Sequence, residues 1–421
     1  MNDTFTYRGG RLACEERDAA DIAREVGTPC YVYSRQAIED NYRALADAFA
    51  PAAPLICYSV KANSNLSVLR LLRDLGAGFD IVSGGELYRA QAAGADPAKI
   101  VFAGVGKTRA EIRQALGAGV LMLNVESEPE LAAINAEAAG LATQARVALR
   151  LNPDIDPKTH RHITTGKKET KFGIDLDGAR RLVARAADWP HVRLVGYHAH
   201  IGSQVTDPKP HAASLAKLIA FATDCVPANS AIEWVNIGGG FGIDYVPGQA
   251  PPPSAFAELL LPVLAAAPKR LKLIMEPGRF IAGNAGVLLT RVVYVKRNRD
   301  GRRFVICDAA MNDLIRPALY DAYHRVWPVE SRQPFASDGF GPADIVGPVC
   351  ESGDYFAKDR PLPEVAEGDL LAVFGAGAYG FAMSSNYNSR PRACEVLVDG
   401  SQIRVARRRE TYEDLVRQET L

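Results

Sequence analysis

Residues 55–82 read Leu55-Ile-Cys-Tyr-Ser-Val-Lys-Ala-Asn-Ser-Asn-Leu-Ser-Val-Leu-Arg-Leu-Leu-Arg-Asp-Leu-Gly-Ala-Gly-Phe-Asp-Ile-Val82. An apolar run, Leu55 to Val60, ends at a lysine, and an amphipathic stretch, Asn65 to Gly76, follows. A second apolar run, Phe79 to Val82, starts after a Gly-Ala-Gly turn. Strand, helix, strand at this spacing is a parallel βαβ unit. The unit recurs outward from this point. Further strands are expected at Ile100 to Ala103, Leu121 to Val125, Arg146 to Leu151, Arg193 to Ala199, Trp234 to Ile237 and Leu271 to Met275. Helices are expected at Gly84 to Ala93, Thr108 to Gly117, Glu128 to Ala139 and Asp177 to Asp188. Eight strand–helix repeats predict a (β/α)₈ barrel of the TIM type.

An open, doubly wound sheet competes with this reading, and the polar residues decide between them. In a barrel, chemistry collects at the C-terminal ends of the strands. Here strand one ends in Lys61, strand two in Asp80, strand five in Arg150 and strand six in His198 and His200. Strand seven runs into Gly238-Gly239-Gly240, and strand eight ends in Glu276. An open sheet gives no reason for early and late strands to share one mouth.

After Arg279 the pattern becomes alternating, in Val287 to Val295, Arg303 to Cys307, Leu370 to Phe374, Glu395 to Val398 and Ile403 to Arg407, which predicts an all-β domain of sandwich or barrel-like form. The expected division is an N-terminal segment, residues 1–25, joining the β domain through Phe5 to Arg8; a barrel, 26–278; and the β domain, 279–421. Pro251-Pro252-Pro253 reads as a rigid loop within the barrel.

The 421 residues balance 49 Lys plus Arg against 49 Asp plus Glu, so nucleic acid and anionic membranes are not expected partners. Mean hydropathy of −0.07 and 48% hydrophobic residues describe an ordinary globular chain. Seven scattered cysteines without a Cys-x-x-Cys spacing point to a reducing cytoplasm, and neither a signal peptide nor a membrane span is legible.

Lys61 alone is an ordinary snorkelling lysine. Inside a barrel mouth, however, desolvation would make it an amine nucleophile. Gly238-Gly239-Gly240 permits close backbone approach to a phosphate, and Glu276, in Glu276-Pro-Gly278-Arg279, can face a protonated pyridine nitrogen. Amine, phosphate cradle and carboxylate are the minimum set for pyridoxal 5′-phosphate. His200 is flat enough to stack on its ring, with Ser203 nearby. His198 and His200 also suggest a metal pair, but no third ligand has convincing spacing, and no metal is expected. In the β domain, Cys350-Glu351-Ser-Gly-Asp354 sets a thiol among carboxylates, where it can donate a proton. Gly375-Ala-Gly-Ala-Tyr379 offers backbone approach and a phenol. Arg316 and Tyr320 share a surface if their segment is helical, which Pro317 limits to one turn.

Together Tyr58-Ser-Val-Lys-Ala-Asn63, His200-Ile-Gly-Ser203, Gly238-Gly-Gly240, Glu276-Pro-Gly-Arg279, Cys350-Glu-Ser-Gly-Asp354 and Gly375-Ala-Gly-Ala-Tyr379 resemble the fold-type III pyridoxal-phosphate-dependent decarboxylases. The likeness runs in order from about residue 25 to 400 and includes Gly78-Phe-Asp-Ile-Val-Ser-Gly-Gly-Glu-Leu87 and Lys171-Phe-Gly-Ile174. It is greatest to the branch acting on diaminopimelate in lysine synthesis. The resemblance implies Lys61 as the Schiff-base lysine, His200 on the ring, Glu276 at the pyridine nitrogen, and Asp80, Arg150, Ser203, Gly238, Gly239, Gly240, Gly278, Arg279 and Tyr379 about the cofactor. It implies substrate contacts from Arg279, Arg316, Tyr320, Glu351 and Tyr379. It also implies a homodimer with shared active sites, Cys350 and Glu351 entering from the partner and Cys350 returning a proton. Arg279 and Arg316 match positions for carboxylate recognition. A decarboxylase of ornithine, arginine or lysine would share the cofactor residues, and a non-catalytic cofactor-binding homologue is a further alternative. His160-Arg161-His162 adds positive groups in a loop before Lys171.

Overall fold

The computed structural model describes residues 4–155, 171–227, 231–335 and 340–420; His160–His162 lie outside them. The chain forms two compact units, Met1–Asp40 with Asp244–Pro247 and Ile281–Leu421, and Asn41–Ile243 with Gly248–Phe280.

The chain begins with β1 (Phe5–Arg8), β2 (Arg11–Cys14) and β3 (Arg17–Asp18), an antiparallel three-stranded sheet. β1 therefore pairs with its chain neighbour, while Leu12 N–H donates to the Val329 carbonyl and Ser331 N–H donates to the Gly10 carbonyl. After α1 (Ala19–Val26) comes β4 (Cys30–Ser34), buried along its whole length, and then α2 (Arg35–Ala48).

In the second unit the strands are β5 (Leu55–Ser59), β6 (Gly78–Ile81), β7 (Ile100–Phe102), β8 (Met122–Val125), β9 (Ala145–Arg150), β10 (Val192–His198), β11 (Trp234–Asn236) and β12 (Lys272–Met275). Among the described residues these eight close into a barrel with parallel neighbours throughout, and β12 pairs back onto β5. The expected fold class stands. Helices α3 (Leu66–Asp74), α4 (Gly84–Ala92), α5 (Arg109–Ala118), α6 (Glu128–Gly140), α7 (Leu176–Ala184), α8 (Lys209–Asp224), α9 (Pro253–Ala265) and α10 (Arg279–Ala282) follow the strands in turn. Side chains fix where several begin. Asn65, Ser83, Ser127 and Asp175 cap α3, α4, α6 and α7, and Thr108 with Glu111 forms a capping box on α5. Pro252 and Pro253 open α9, so part of the proline cluster starts a helix rather than a loop. Cys57, Val101, Met122, Ala148, Val195 and Ile274 fill the barrel core.

The first unit continues through β13 (Gly286–Arg297), β14 (Arg303–Cys307), α11 (Arg316–Tyr320), β15 (Val326–Pro328), β16 (Pro342–Val346), β17 (Tyr355–Pro361), β18 (Leu370–Val373), β19 (Cys394–Asp399) and β20 (Gln402–Arg407). β13 is the hub: it pairs with β4, β14 and β18. β4, expected within the barrel segment, instead lies between β13 and β19. Its residues, Cys-Tyr-Val-Tyr-Ser, bury both faces, as a barrel strand would, and the pattern alone does not separate the two fates. Pro317 sits in the first turn of α11, where it is tolerated, and the helix is a single turn.

Candidate active site

The barrel residues are best followed outward from Glu276, which is 5% exposed at the end of β12. Its Oε1 accepts hydrogen bonds from Asn236 Nδ2 at 2.6 Å and Asn124 Nδ2 at 3.3 Å. His198 Nε2 lies 3.3 Å from Oε2, although neither ring nitrogen of His198 makes a well-aligned hydrogen bond in the protein. Burial alone would push this carboxyl up; His198, Lys61 and the Asn236 amide outweigh it and hold Glu276 well below the usual range. The carboxylate stays ionised. Asn124 and Asn236 were missed by sequence reasoning, yet each is a polar residue interrupting an apolar strand, and that was the available signal.

Lys61 follows β5 in a short 3₁₀ turn. Its Nζ forms an ion pair with Asp80 Oδ2 and is 3.3 Å from Ser59 Oγ, which in turn donates to Asp80 at 2.7 Å. The Lys61 side chain is 36% exposed, while that of Asp80 is 0% exposed. Burial and the neighbouring Glu276 raise the Asp80 carboxyl against the opposing pull of Lys61. Glu86, in the first turn of α4, is pushed up to about 7 by burial, again opposed by Lys61.

His200 is held below its ordinary value by burial, then by the positive charges of Arg150 and Lys61. Its ring is neutral, and Nδ1 accepts from Gly239 N–H at 3.2 Å. Gly238 adopts φ +68°, and a Cβ there would lie 2.7 Å from His200 Nδ1, so both conformation and space require glycine. The Gly238 amide donates to Asn236 Oδ1 at 2.9 Å, so this amide and that of Gly239 are engaged within the barrel. Gly240, at φ +95°, completes the run. His211, which sequence reasoning also missed, hydrogen-bonds the Gly239 carbonyl through Nε2 at 2.9 Å and stacks on Phe241; burial lowers it to about 4. Arg279 reaches Ser203 Oγ with Nη2 at 3.0 Å, and Gly278 lets the chain pass close to Ser59 and Ala62.

Arg150 pairs with Glu126 at 2.9 Å, both nearly inaccessible, and lies over the Phe172 ring at 4.8 Å. Glu126 also accepts the Gly104 and Gly173 amides, at 3.0 and 3.1 Å. Among the described residues no cluster of three or more His, Cys, Asp or Glu can hold a metal.

The other predicted residues belong to the first unit. Cys350 is exposed, with its amide bonded to Asn388 Oδ1 at 2.8 Å. Asp354 ties this loop down by accepting from Met311 N and Val349 N, each at 2.7 Å, and Glu351 Oε1 accepts from Gly353 N at 3.3 Å. Arg316 is buried at the start of α11, with Tyr320 at its end. Tyr379, with φ +57°, closes the Gly375 turn. The barrel gathers Lys61, Asp80, Arg150, His200, Ser203, Gly238–Gly240, Glu276, Gly278 and Arg279.

The chemistry of this set fits pyridoxal phosphate: an amine ion-paired with a buried carboxyl, an ionised carboxylate on asparagine supports, a neutral flat ring, an arginine and a glycine run without side chains. In agreement, residues 35–283 match the family model "pyridoxal-dependent decarboxylase, pyridoxal binding domain". The chain is 51% identical to the diaminopimelate decarboxylase of Pseudomonas aeruginosa over 419 residues, 100% of this chain and 99% of that one. The diaminopimelate decarboxylase of Helicobacter pylori, solved with L-lysine, superposes with a TM-score of 0.89 at 42% identity, covering 95% and 98% of the two chains. The enzyme of M. jannaschii, also with L-lysine, gives 0.92 at 38%, covering 100% and 98%. The chain is thus a pyridoxal-dependent decarboxylase by fold and site. Within that class it belongs to the diaminopimelate decarboxylase family.

Proposed function

We propose that this chain converts meso-2,6-diaminopimelate to L-lysine and carbon dioxide, the last step of lysine synthesis, with pyridoxal 5′-phosphate held in the barrel. The observation that carries the reading is the combination of the Lys61 amine and an ionised Glu276 around neutral His200. When bound, the cofactor supplies an aldehyde and a ring that accepts the electron pair left by departing carbon dioxide. Lys61 offers the amine, and Asp80 beside it takes the proton that the amine must shed to become nucleophilic. Glu276 keeps a proton on the pyridine nitrogen. His200 presents an uncharged face, and Arg279 brings positive charge for the phosphate or a substrate carboxylate.

Diaminopimelate differs from lysine and ornithine in its second carboxylate, which calls for a cation, and Arg316 is assigned that role. A buried arginine left without its anion costs about 3–5 kcal/mol, which disfavours substrates lacking the distal carboxylate by about 100-fold or more. The reading includes a homodimer in which Cys350 and Glu351 enter the site of a second copy and the Cys350 thiol returns a proton to the α-carbon. Its exposure supports that role. The cytoplasm is proposed as the compartment on the strength of seven free cysteines. Among the described residues no helix is long and apolar enough to cross a membrane.

Carbon dioxide release from meso-diaminopimelate, ornithine, arginine and lysine tests the substrate, and faster turnover of ornithine overturns it. Absorption spectra with and without borohydride test the cofactor. The wild type is expected to be yellow and trapped by reduction, and Lys61→Ala is not.

A further inference from the structure

We infer that His324 is a positioning residue that orients Arg316 as a carboxylate receptor. The inference rests on the reading of Arg316 given above. Arg316 Nη1 is 2.8 Å from His324 Nε2, and His324 Nδ1 is 2.8 Å from the Phe374 carbonyl oxygen. A guanidinium only donates and a carbonyl only accepts. His324 therefore carries its proton on Nδ1, accepts through Nε2, and is neutral. The ring is fixed at both ends and is 0% exposed.

The surroundings hold both partners. Tyr245 lies under the Arg316 guanidinium at 5.0 Å and meets the His324 ring edge-on at 5.4 Å. Between the two residues the chain turns through Asp321, at φ +50°, whose carboxylate accepts from Tyr355 Oη at 3.0 Å. Arg360 Nη1 donates to the His324 carbonyl at 3.1 Å. A neutral acceptor orients an arginine without cancelling its charge, whereas an aspartate or glutamate at this place would orient it and neutralise it. That distinction matters for a residue whose task is to receive a substrate anion.

The test uses the holoenzyme and steady-state kinetics on meso-diaminopimelate for His324→Leu, His324→Asn, His324→Gln, Arg316→Leu and the double variant Arg316→Leu/His324→Leu. Glutamine places an acceptor near the Nε2 position; asparagine matches the Nδ1 side and loses the acceptor for Arg316. His324→Leu and His324→Asn are expected to raise KM about 10-fold or more with kcat changed by less than about 3-fold, and His324→Gln to recover most of the loss. In the Arg316→Leu background, His324→Leu is expected to change KM by less than about 2-fold. The inference is overturned if His324→Leu raises KM by the same factor in both backgrounds, or if asparagine and glutamine behave alike. If Leu fails to fold, the asparagine–glutamine comparison decides alone. Should Arg316→Leu leave KM unchanged, the reading of Arg316 itself fails, a result distinct from a failure at His324.

Discussion

Glu276 and His211 show how burial has opposite consequences for two titratable groups in one barrel. Glu276 is buried but supported by Asn236, Asn124 and His198, so its carboxyl remains charged below the range in which ordinary glutamates protonate. Its contribution to stability is present above the ordinary value of about 4.3 and is lost only as pH falls through the lower folded value. Glu276→Gln keeps the shape and removes the charge, and kcat/KM is expected to fall about 100-fold or more, read by carbon dioxide release. His211 has its value lowered to about 4. The unfolded chain takes this proton near pH 6.5, so stability falls as pH drops from there toward 4, at about 1.4 kcal/mol per pH unit. His200 acts in the same direction. Urea midpoints at pH 7 and pH 5 should show this loss, and His211→Gln should flatten it; an unchanged slope contradicts the assignment.

Lys61, His200 and Glu276 were legible in the sequence because they stand at strand ends, where the barrel rule gives position a meaning. Asn124, Asn236, His211 and His324 were not assigned roles. Their roles lie in contacts to residues 152, 40, 28 and 8 positions away, which one-dimensional spacing does not reveal.

At the scale of elements, the eight barrel strands were readable because strands buried on both faces leave uninterrupted apolar runs between amphipathic helices. β4 was not read as a strand at all, and its residues fell within the span expected for the barrel. β15, β16 and β17 were also missed: Val-Trp-Pro is too short to alternate, and prolines bound the other two. The glycine run after β11 was readable as a place of close approach. Its geometry shows that the first glycine makes room for His200 and for the Ala199 carbonyl. Gly238→Ala must place a methyl group 2.7 Å from His200 Nδ1 and 2.9 Å from the Ala199 carbonyl, on a backbone at positive φ. The expected result is a folded barrel by circular dichroism with loss of cofactor absorbance and about 100-fold lower activity. Retention of both properties would show that the His200 position is less constrained than the geometry indicates.

For the molecule as a whole, the zero net charge conceals the concentration of charge in the barrel, where Lys61, Arg150 and Arg279 stand near Asp80, Glu126 and Glu276. The proposed sharing of sites between two copies gives a quantitative expectation. Lys61→Ala and Cys350→Ala homodimers are each inactive, but a mixed dimer has one site with both groups intact. Co-expression at equal levels should restore about a quarter of the wild-type rate. No recovery in a sample shown to contain mixed dimers rules out sharing.

The position of β4 also bears on how the chain is made. Cys30 pairs with Cys394, 364 residues later, and the strand between β13 and β19 is therefore among the first segments to leave the ribosome and among the last to find its neighbours. At ordinary rates of synthesis the wait is roughly 20–70 s. During it, the barrel segment can fold and β13 can pair with one edge of β4, while the other edge of five residues destined for full burial stays open and aggregation-prone until β19 arrives. Nascent chains halted before β19 emerges should therefore be the ones that depend most on a chaperone.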